Sequence, residues 1–100
     1  MIKVILADDH RVVLQGLCNL LENEDGIEVI GQASNGLEAI ELSEKLKPDV
    51  LVMDLMMPNV NGLEAARLLK RRMPDIKIII LSMHDSEPYI IQALKYGVLG

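Results

Sequence analysis

Four apolar runs divide the chain: Ile2–Ala7, Ile27–Ala33, Val50–Met53 and Ile76–Leu81. Each is rich in β-branched residues and short enough for a strand. The segments between and after them carry apolar positions at helical spacing. Val13, Leu17, Leu20 and Leu21 mark a first helix, and Ala39, Leu42, Ser43 and Leu46 a second. Ala65, Leu68, Leu69 and Met73 mark a third, and Ile90, Ala93 and Leu94 a fourth. Start and stop signals agree with this division. Asn35 stands three residues before Glu38, and Asn61 three before Glu64, the spacing of a capping box. The pentapeptide Asn-Gly-Leu-Glu-Ala at both places solves one helix-start problem twice. Pro48 and Pro74 follow the second and third helices, where the chain cannot readily stay helical. Ser86 is placed to cap the fourth helix, with Pro88 in its first turn and Gly97 at its end.

Strand–helix alternation predicts a parallel sheet with helices on both faces. Ile2–Ala7 and Val50–Met53 are almost wholly apolar, as central strands are. Ile27–Ala33 is interrupted by Glu28, Gly31 and Gln32 and reads as an edge. The expected fold class is α/β, a flavodoxin-like doubly wound parallel sheet of order 2-1-3-4, with its switch point between the first and third strands. Val98-Leu99-Gly100 reads as the approach to a fifth strand. On this reading residues 1–100 are one domain, incomplete at the C-terminus, whose fifth strand and fifth helix are truncated.

Composition narrows the picture. Half of the 100 residues are hydrophobic, enough for a core, yet the only aromatics are two Tyr, so that core is aliphatic. A net charge of −5 argues against nucleic acid contact by this segment, which would need a basic face. Cys18 is the single cysteine; no internal disulfide is possible, and it reads as a small packing residue. No apolar run approaches the roughly 20 residues of a membrane span. The expectation is no membrane and a cytoplasmic location.

The candidate chemistry sits at the strand ends. Asp8 and Asp9 follow the first strand, Asp54 the third and Ser82 the fourth. In a parallel sheet of this order these residues gather at one edge, where open α/β sheets bind ligands. A single aspartate after a strand is more often a turn former or helix cap. Three carboxylates at close range must take up protons or hold a cation, and hard oxygen donors suit magnesium. A carboxylate beside magnesium and a hydroxyl suits phosphoryl transfer, with the carboxylate attacking phosphorus. His10 and His84 read as surface or capping residues at helix starts rather than ligands. Met53, Met56 and Met57 read as packing. Lys70-Arg71-Arg72 complements a helix dipole, and Glu22 to Glu28 reads as a solvated acidic turn.

These residues resemble the receiver domain of bacterial two-component response regulators. The resemblance rests on the pair Asp8-Asp9, on Asp54 followed by Met57-Pro58 and Asn61-Gly62, on Ser82 after an Ile-rich run, and on Ala93 through Gly97. Asp8-Asp9-His10 and the run from Val29 to Gly36 are most similar to the NarL/LuxR class. The resemblance implies that Asp54 accepts a phosphoryl group from a sensor histidine kinase. It implies a Mg2+ site of Asp9, Asp8 (largely through water), Asp54 and the backbone carbonyl of Met56. Ser82 would bond a phosphoryl oxygen and draw its loop inward, switching a partner surface. Such a domain is a phospho-acceptor that catalyses its own phosphorylation and dephosphorylation, not a turnover enzyme. In a full-length protein it would control transcription through a C-terminal DNA-binding domain. The family's conserved lysine and its switch aromatic would lie beyond Gly100 and so are absent from this chain. Slow phosphorylation and a crippled readout are therefore expected. With Ile76–Leu81 as an open edge, a homodimer or strand-swapped oligomer is also expected.

Two other readings compete. A magnesium-dependent phosphohydrolase of the haloacid dehalogenase type would use Asp54 as nucleophile. It wants a second acid two residues on, where Met56 stands, and a nucleophile after the first strand. A passive binding module that keeps the fold but takes no phosphate is the other, and the intact acid pair argues against it. Nucleotide binding lacks a Gly-rich loop after the first strand.

Overall fold

A computed structural model of the chain describes residues 1–54 and 62–81. The elements alternate: β1 (Ile2–Ala7), α1 (Arg11–Glu22), β2 (Ile27–Ala33), α2 (Gly36–Leu46), β3 (Val50–Asp54), α3 (Gly62–Arg72) and β4 (Lys77–Leu81). The strands form one parallel sheet in the order β2-β1-β3-β4, as the sequence predicts. β3 runs one residue further than the apolar run, through Asp54. β4 begins at Lys77 rather than Ile76, because Ile76 still belongs to a turn in which its N–H bonds the Met73 carbonyl at 3.0 Å. The fourth predicted helix and the Asn61 cap lie outside the described residues.

Burial on both faces explains why the central strands do not alternate apolar with polar. On one face Val4, Leu6, Ile27, Val50, Val52 and Ile79 pack with Leu14, Leu17, Cys18 and Leu21 of α1. On the other, Ile5, Ala7, Ala33, Leu51, Met53 and Ile78 pack with Ala39 and Ile40 of α2 and with Ala65 and Leu69 of α3. The sheet thus separates two aliphatic cores.

The helix phase differs from the expected one. Val13, expected on the core face, is 48% exposed, and Leu20 is only half-buried. The buried stripe is Leu14, Leu17, Cys18 and Leu21. Those positions follow the i, i+3, i+4, i+7 rule, which turns Val13 about 100° away from the stripe. In α2 the expected Ala39 and Ser43 are buried with Ile40 beside them, Leu42 packs partly buried against that core, and Leu46 is left exposed.

The edge strand β2 carries an irregularity that its alternation did not reveal. Val4 pairs with Val29, but Ile5 pairs with Gly31, so Ile30 is an extra residue in a β-bulge. A side chain at Gly31 would bring its Cβ to 3.2 Å from Leu46 Cδ1 and 3.5 Å from Ile5 Cγ1. The glycine lets the end of α2 lie close on the edge strand.

The helix boundaries have local causes. Asn35 Oδ1 accepts the Glu38 N–H at 2.8 Å, as its capping spacing predicts. The Glu38 carboxylate returns to the N–H of Ser34 at 2.8 Å and its hydroxyl at 3.2 Å, one residue earlier than a strict capping box. At the other end Lys47 turns left-handed (φ 51°), gives its N–H to the Ser43 carbonyl at 2.9 Å, and is followed by Pro48.

Candidate functional site

The site is built on the carboxyl edge of the sheet. Ala7 and Met53 are the last pair of the β1–β3 ladder, so Asp8 and Asp54 are the next residues on adjacent strands. Asp54 closes β3, where it pairs with Leu81 of β4. Ser82 follows directly in sequence. The side chain of Asp54, and all of Met56, Met57, Pro58, Ser82 and His84, lie outside the described residues.

Asp8 remains tied to the sheet, since its N–H donates to the Ala33 carbonyl of β2 at 3.0 Å. Its side chain is buried, the residue being 6% exposed. Asp8 Oδ1 accepts the His10 N–H at 2.8 Å, a local turn that aims the chain into α1. Asp9 is exposed beside it. Both acids stand just ahead of the N-terminus of α1, whose dipole favours negative charge there.

His10 is an exposed residue at the start of a helix, as the sequence reading has it. It occupies the N-cap position of α1, and its carbonyl accepts the Leu14 N–H at 2.9 Å, but its ring makes no capping bond. The ring turns back on the acids instead, with Nδ1 3.2 Å from Asp8 Oδ1 and 3.0 Å from Asp9 Oδ1. One donor atom from each of Asp8, Asp9 and His10 falls within 4.8 Å of the others. The available signal was the Asp-Asp-His run itself: a residue that leads a helix has its side chain free to fold back over the two before it.

The donor set fits a small hard divalent cation. Two carboxylates converge at the edge of the sheet beside the end of β3, and oxygen donors are the ligands such ions prefer.

Residues 4–100 match the family described as the response regulator receiver domain. The chain belongs to this family. DegU of Brevibacillus brevis, a transcriptional regulatory protein, is 43% identical over 99 residues, which are 99% of this chain and 42% of DegU. The receiver of NarL from Mycobacterium tuberculosis superposes with a TM-score of 0.79 at 29% identity, covering 94% of this chain and 76% of that one. RcsB of Salmonella enterica serovar Typhimurium, bound to promoter rprA in the presence of phosphomimetic BeF3-, superposes with a TM-score of 0.78 at 32% identity. That match covers 99% of this chain and 82% of RcsB. The receiver spans less than half the length of the curated relatives it matches, 42% to 47% of the first three. The NarL/LuxR-class likeness of the sequence holds, and the phosphohydrolase reading falls away.

Several polar residues of this receiver serve the fold rather than the site. Lys70, expected only to complement the dipole of α3, donates to the Ile76 carbonyl. Arg72 pairs with Glu44 of α2 at 2.7 Å. Cys18 is buried in the α1 core, where its thiol donates to Glu22 Oε1 at 3.3 Å and accepts from Gln32 Nε2 at 3.1 Å. Burial first, and then the Glu22 carboxylate, push the Cys18 thiol above its ordinary pKa. Among the described residues no helix is long and apolar enough to cross a membrane.

Proposed function

We propose that this receiver is a phosphoryl-accepting switch in which Asp54 is the acceptor. The observation that carries the reading is the β1–β3 register, which makes Asp8 and Asp54 neighbours at the edge where Asp9 is exposed. An Asp54 carboxylate oxygen attacks the phosphorus of a phosphohistidine on a sensor histidine kinase. The P–N bond breaks, its electron pair leaves with the imidazole, and an acyl phosphate forms on Asp54. Water later attacks the same phosphorus and returns the free carboxylate and inorganic phosphate, so the domain promotes both steps on itself without being a turnover enzyme.

Asp9, Asp8 largely through water, Asp54 and the Met56 backbone carbonyl would hold Mg2+. When bound, the ion neutralises charge on the phosphoryl oxygens. Ser82 donates its hydroxyl to a phosphoryl oxygen and draws its loop toward the new dianion, which biases a two-state surface. In the whole protein that surface would control a DNA-binding output domain, a reading supported by the promoter complex of RcsB. Kinase and promoter together imply a cytoplasmic protein.

The test is intact-mass spectrometry after incubation with acetyl phosphate and Mg2+, for wild type and Asp54→Ala. The expected result is one added phosphoryl group in wild type alone, lost when the cation is chelated. No gain in wild type, or an equal gain in Asp54→Ala, overturns the assignment.

A further inference from the structure

We propose that this chain pairs with a second copy of itself across the amino edge of its sheet, each copy's acidic turn before β2 meeting the basic outer face of the other's α3. The inference is independent of the phosphoryl chemistry, which sits at the opposite edge.

Charge marks the two surfaces. Glu22, Glu24, Asp25 and Glu28 place four acids within seven residues, and Arg67, Lys70, Arg71 and Arg72 place four bases within six. Neither stretch holds a charge of the other sign. Both surfaces are fixed before any partner arrives. In the acidic turn the Glu24 N–H bonds the Leu21 carbonyl at 3.1 Å, Gly26 turns left-handed (φ 87°), and its carbonyl accepts the Ile2 N–H at 2.7 Å. Glu22, which takes the Cys18 thiol on one oxygen, and Asp25 are exposed there. On α3, Arg72 is committed to Glu44 and Lys70 to the Ile76 carbonyl. Arg67 and Arg71 are exposed and, with Glu64 and the half-buried Leu68, line an open recess of about 230 Å³. Two guanidiniums four residues apart on one helix face repel each other, and a carboxylate seated between them removes that repulsion.

Topology keeps the two surfaces apart within one copy. The turn leads into β2 and α3 leads into β4, the two outer strands, with β1 and β3 between them. At about 4.8 Å per strand, about 14 Å of sheet separates them. The turn and the last turns of α3 nevertheless share the amino edge, since Ile27 opens β2 opposite Ile2 and Lys77 opens β4 opposite Val50. A twofold axis through that edge exchanges the two surfaces, so each contact is made twice and the pair closes. Exposed ion pairs are individually weak and are screened by salt, so the association is weak and depends on ionic strength.

The experiment is sedimentation velocity over a concentration series, in about 20 mM and about 300 mM NaCl. Arg67→Glu/Arg71→Glu and Glu22→Lys/Asp25→Lys are run alone, in an equimolar mixture, and combined in a single chain. All four side chains are exposed, and circular dichroism checks that each variant is folded. The expected result for the parent is a monomer–dimer equilibrium at low salt that weakens at high salt. Each double variant should dimerise at least about tenfold more weakly. The dimer should return in the mixture and in the chain carrying all four substitutions, because both contacts are then restored with their signs exchanged. A parent that stays monomeric at low salt, or that associates equally at both salt concentrations, overturns the proposal whatever the variants do. Association that the charge reversals leave unchanged overturns it too and assigns the contact to strand pairing instead. A ladder of species larger than the dimer overturns the twofold arrangement.

Discussion

Asp49 and Asp8 sit at opposite edges of the same sheet and do opposite things. Asp49, just ahead of β3, gives its N–H to the Lys3 carbonyl at 2.9 Å and takes the Lys3 N–H on Oδ2 at 2.8 Å. Its own carbonyl accepts the Lys77 N–H at 3.2 Å, so one residue links β1, β3 and β4 at the amino edge. Asp8 is also tied through its backbone, but its buried carboxylate meets His10 and stands next to Asp9. The Asp49 carboxylate accepts a strand N–H and so ties the sheet. The Asp8 carboxylate is taken up by the residue that opens α1 and not by a strand. Residue type is identical at the two edges. The partners decide which aspartate is structural and which is kept available.

The comparison can be tested most severely at the strand that joins the edges. Leu51, fully buried in β3 between Asp49 and Asp54, contacts the core under α2 and α3. Leu51→Ala should cost about 3 kcal/mol in denaturant unfolding and should weaken Mg2+ binding at the far edge as well. A large stability loss with unchanged Mg2+ affinity would show the site to be independent of this strand's packing. Next in size, Asp49→Ala should lower stability by about 1–2 kcal/mol, because the Lys3 N–H loses its charged acceptor. Asp8→Asn should have the opposite sign, raising the stability of the metal-free protein by about 1 kcal/mol while reducing Mg2+ affinity. If both aspartate substitutions destabilise alike, the division between the edges is wrong.

Two smaller effects sharpen the rule away from the edges. Ser43 Oγ is buried on α2 without a hydrogen-bond partner among the described residues. Ser43→Ala should be neutral or stabilise by up to about 1 kcal/mol, measured as a shift in Tm. Cys18 should give the smallest effect, visible only at high pH. Its folded pKa is raised, so the unfolded chain loses the thiol proton first. Stability should therefore fall as pH rises from the ordinary thiol value toward the raised one. Cys18→Ala should flatten that part of the curve. A curve of equal slope in both proteins would show that the thiol's surroundings contribute nothing to stability.

Much of this receiver is legible one residue at a time. The four apolar runs gave β1 and β2 without error and missed β3 and β4 by one residue each. Asn35 caps α2 because its side chain and the Glu38 N–H are neighbours along the chain, a contact that needs no tertiary partner. The same holds for the acids at the strand ends: parallel strand order alone carries Asp8 and Asp54 to one edge. What sequence spacing could not supply was phase and partner. Val13 and Leu14 are both apolar, and only the sheet beneath α1 selects Leu14 for burial. The bulge at Ile30 arises where β2 must match β1 while α2 lies close over Gly31, a fit of two distant segments. Lys70 and Arg72, read from the sequence only as complements to a helix dipole, found partners 6 and 28 residues away, and Asp49, to which the sequence assigned no role, one 46 residues away. His10 is the intermediate case. The sequence put its backbone at the start of α1, but the ring's choice between capping the helix and bridging the acids was made by the fixed carboxylate of Asp8. The sequence by itself determined the elements, their order and the chemistry at their ends, because those depend on local propensity and on chain direction. The tertiary structure decided which faces are buried and which charges are committed, because those depend on what another part of the chain brings within reach.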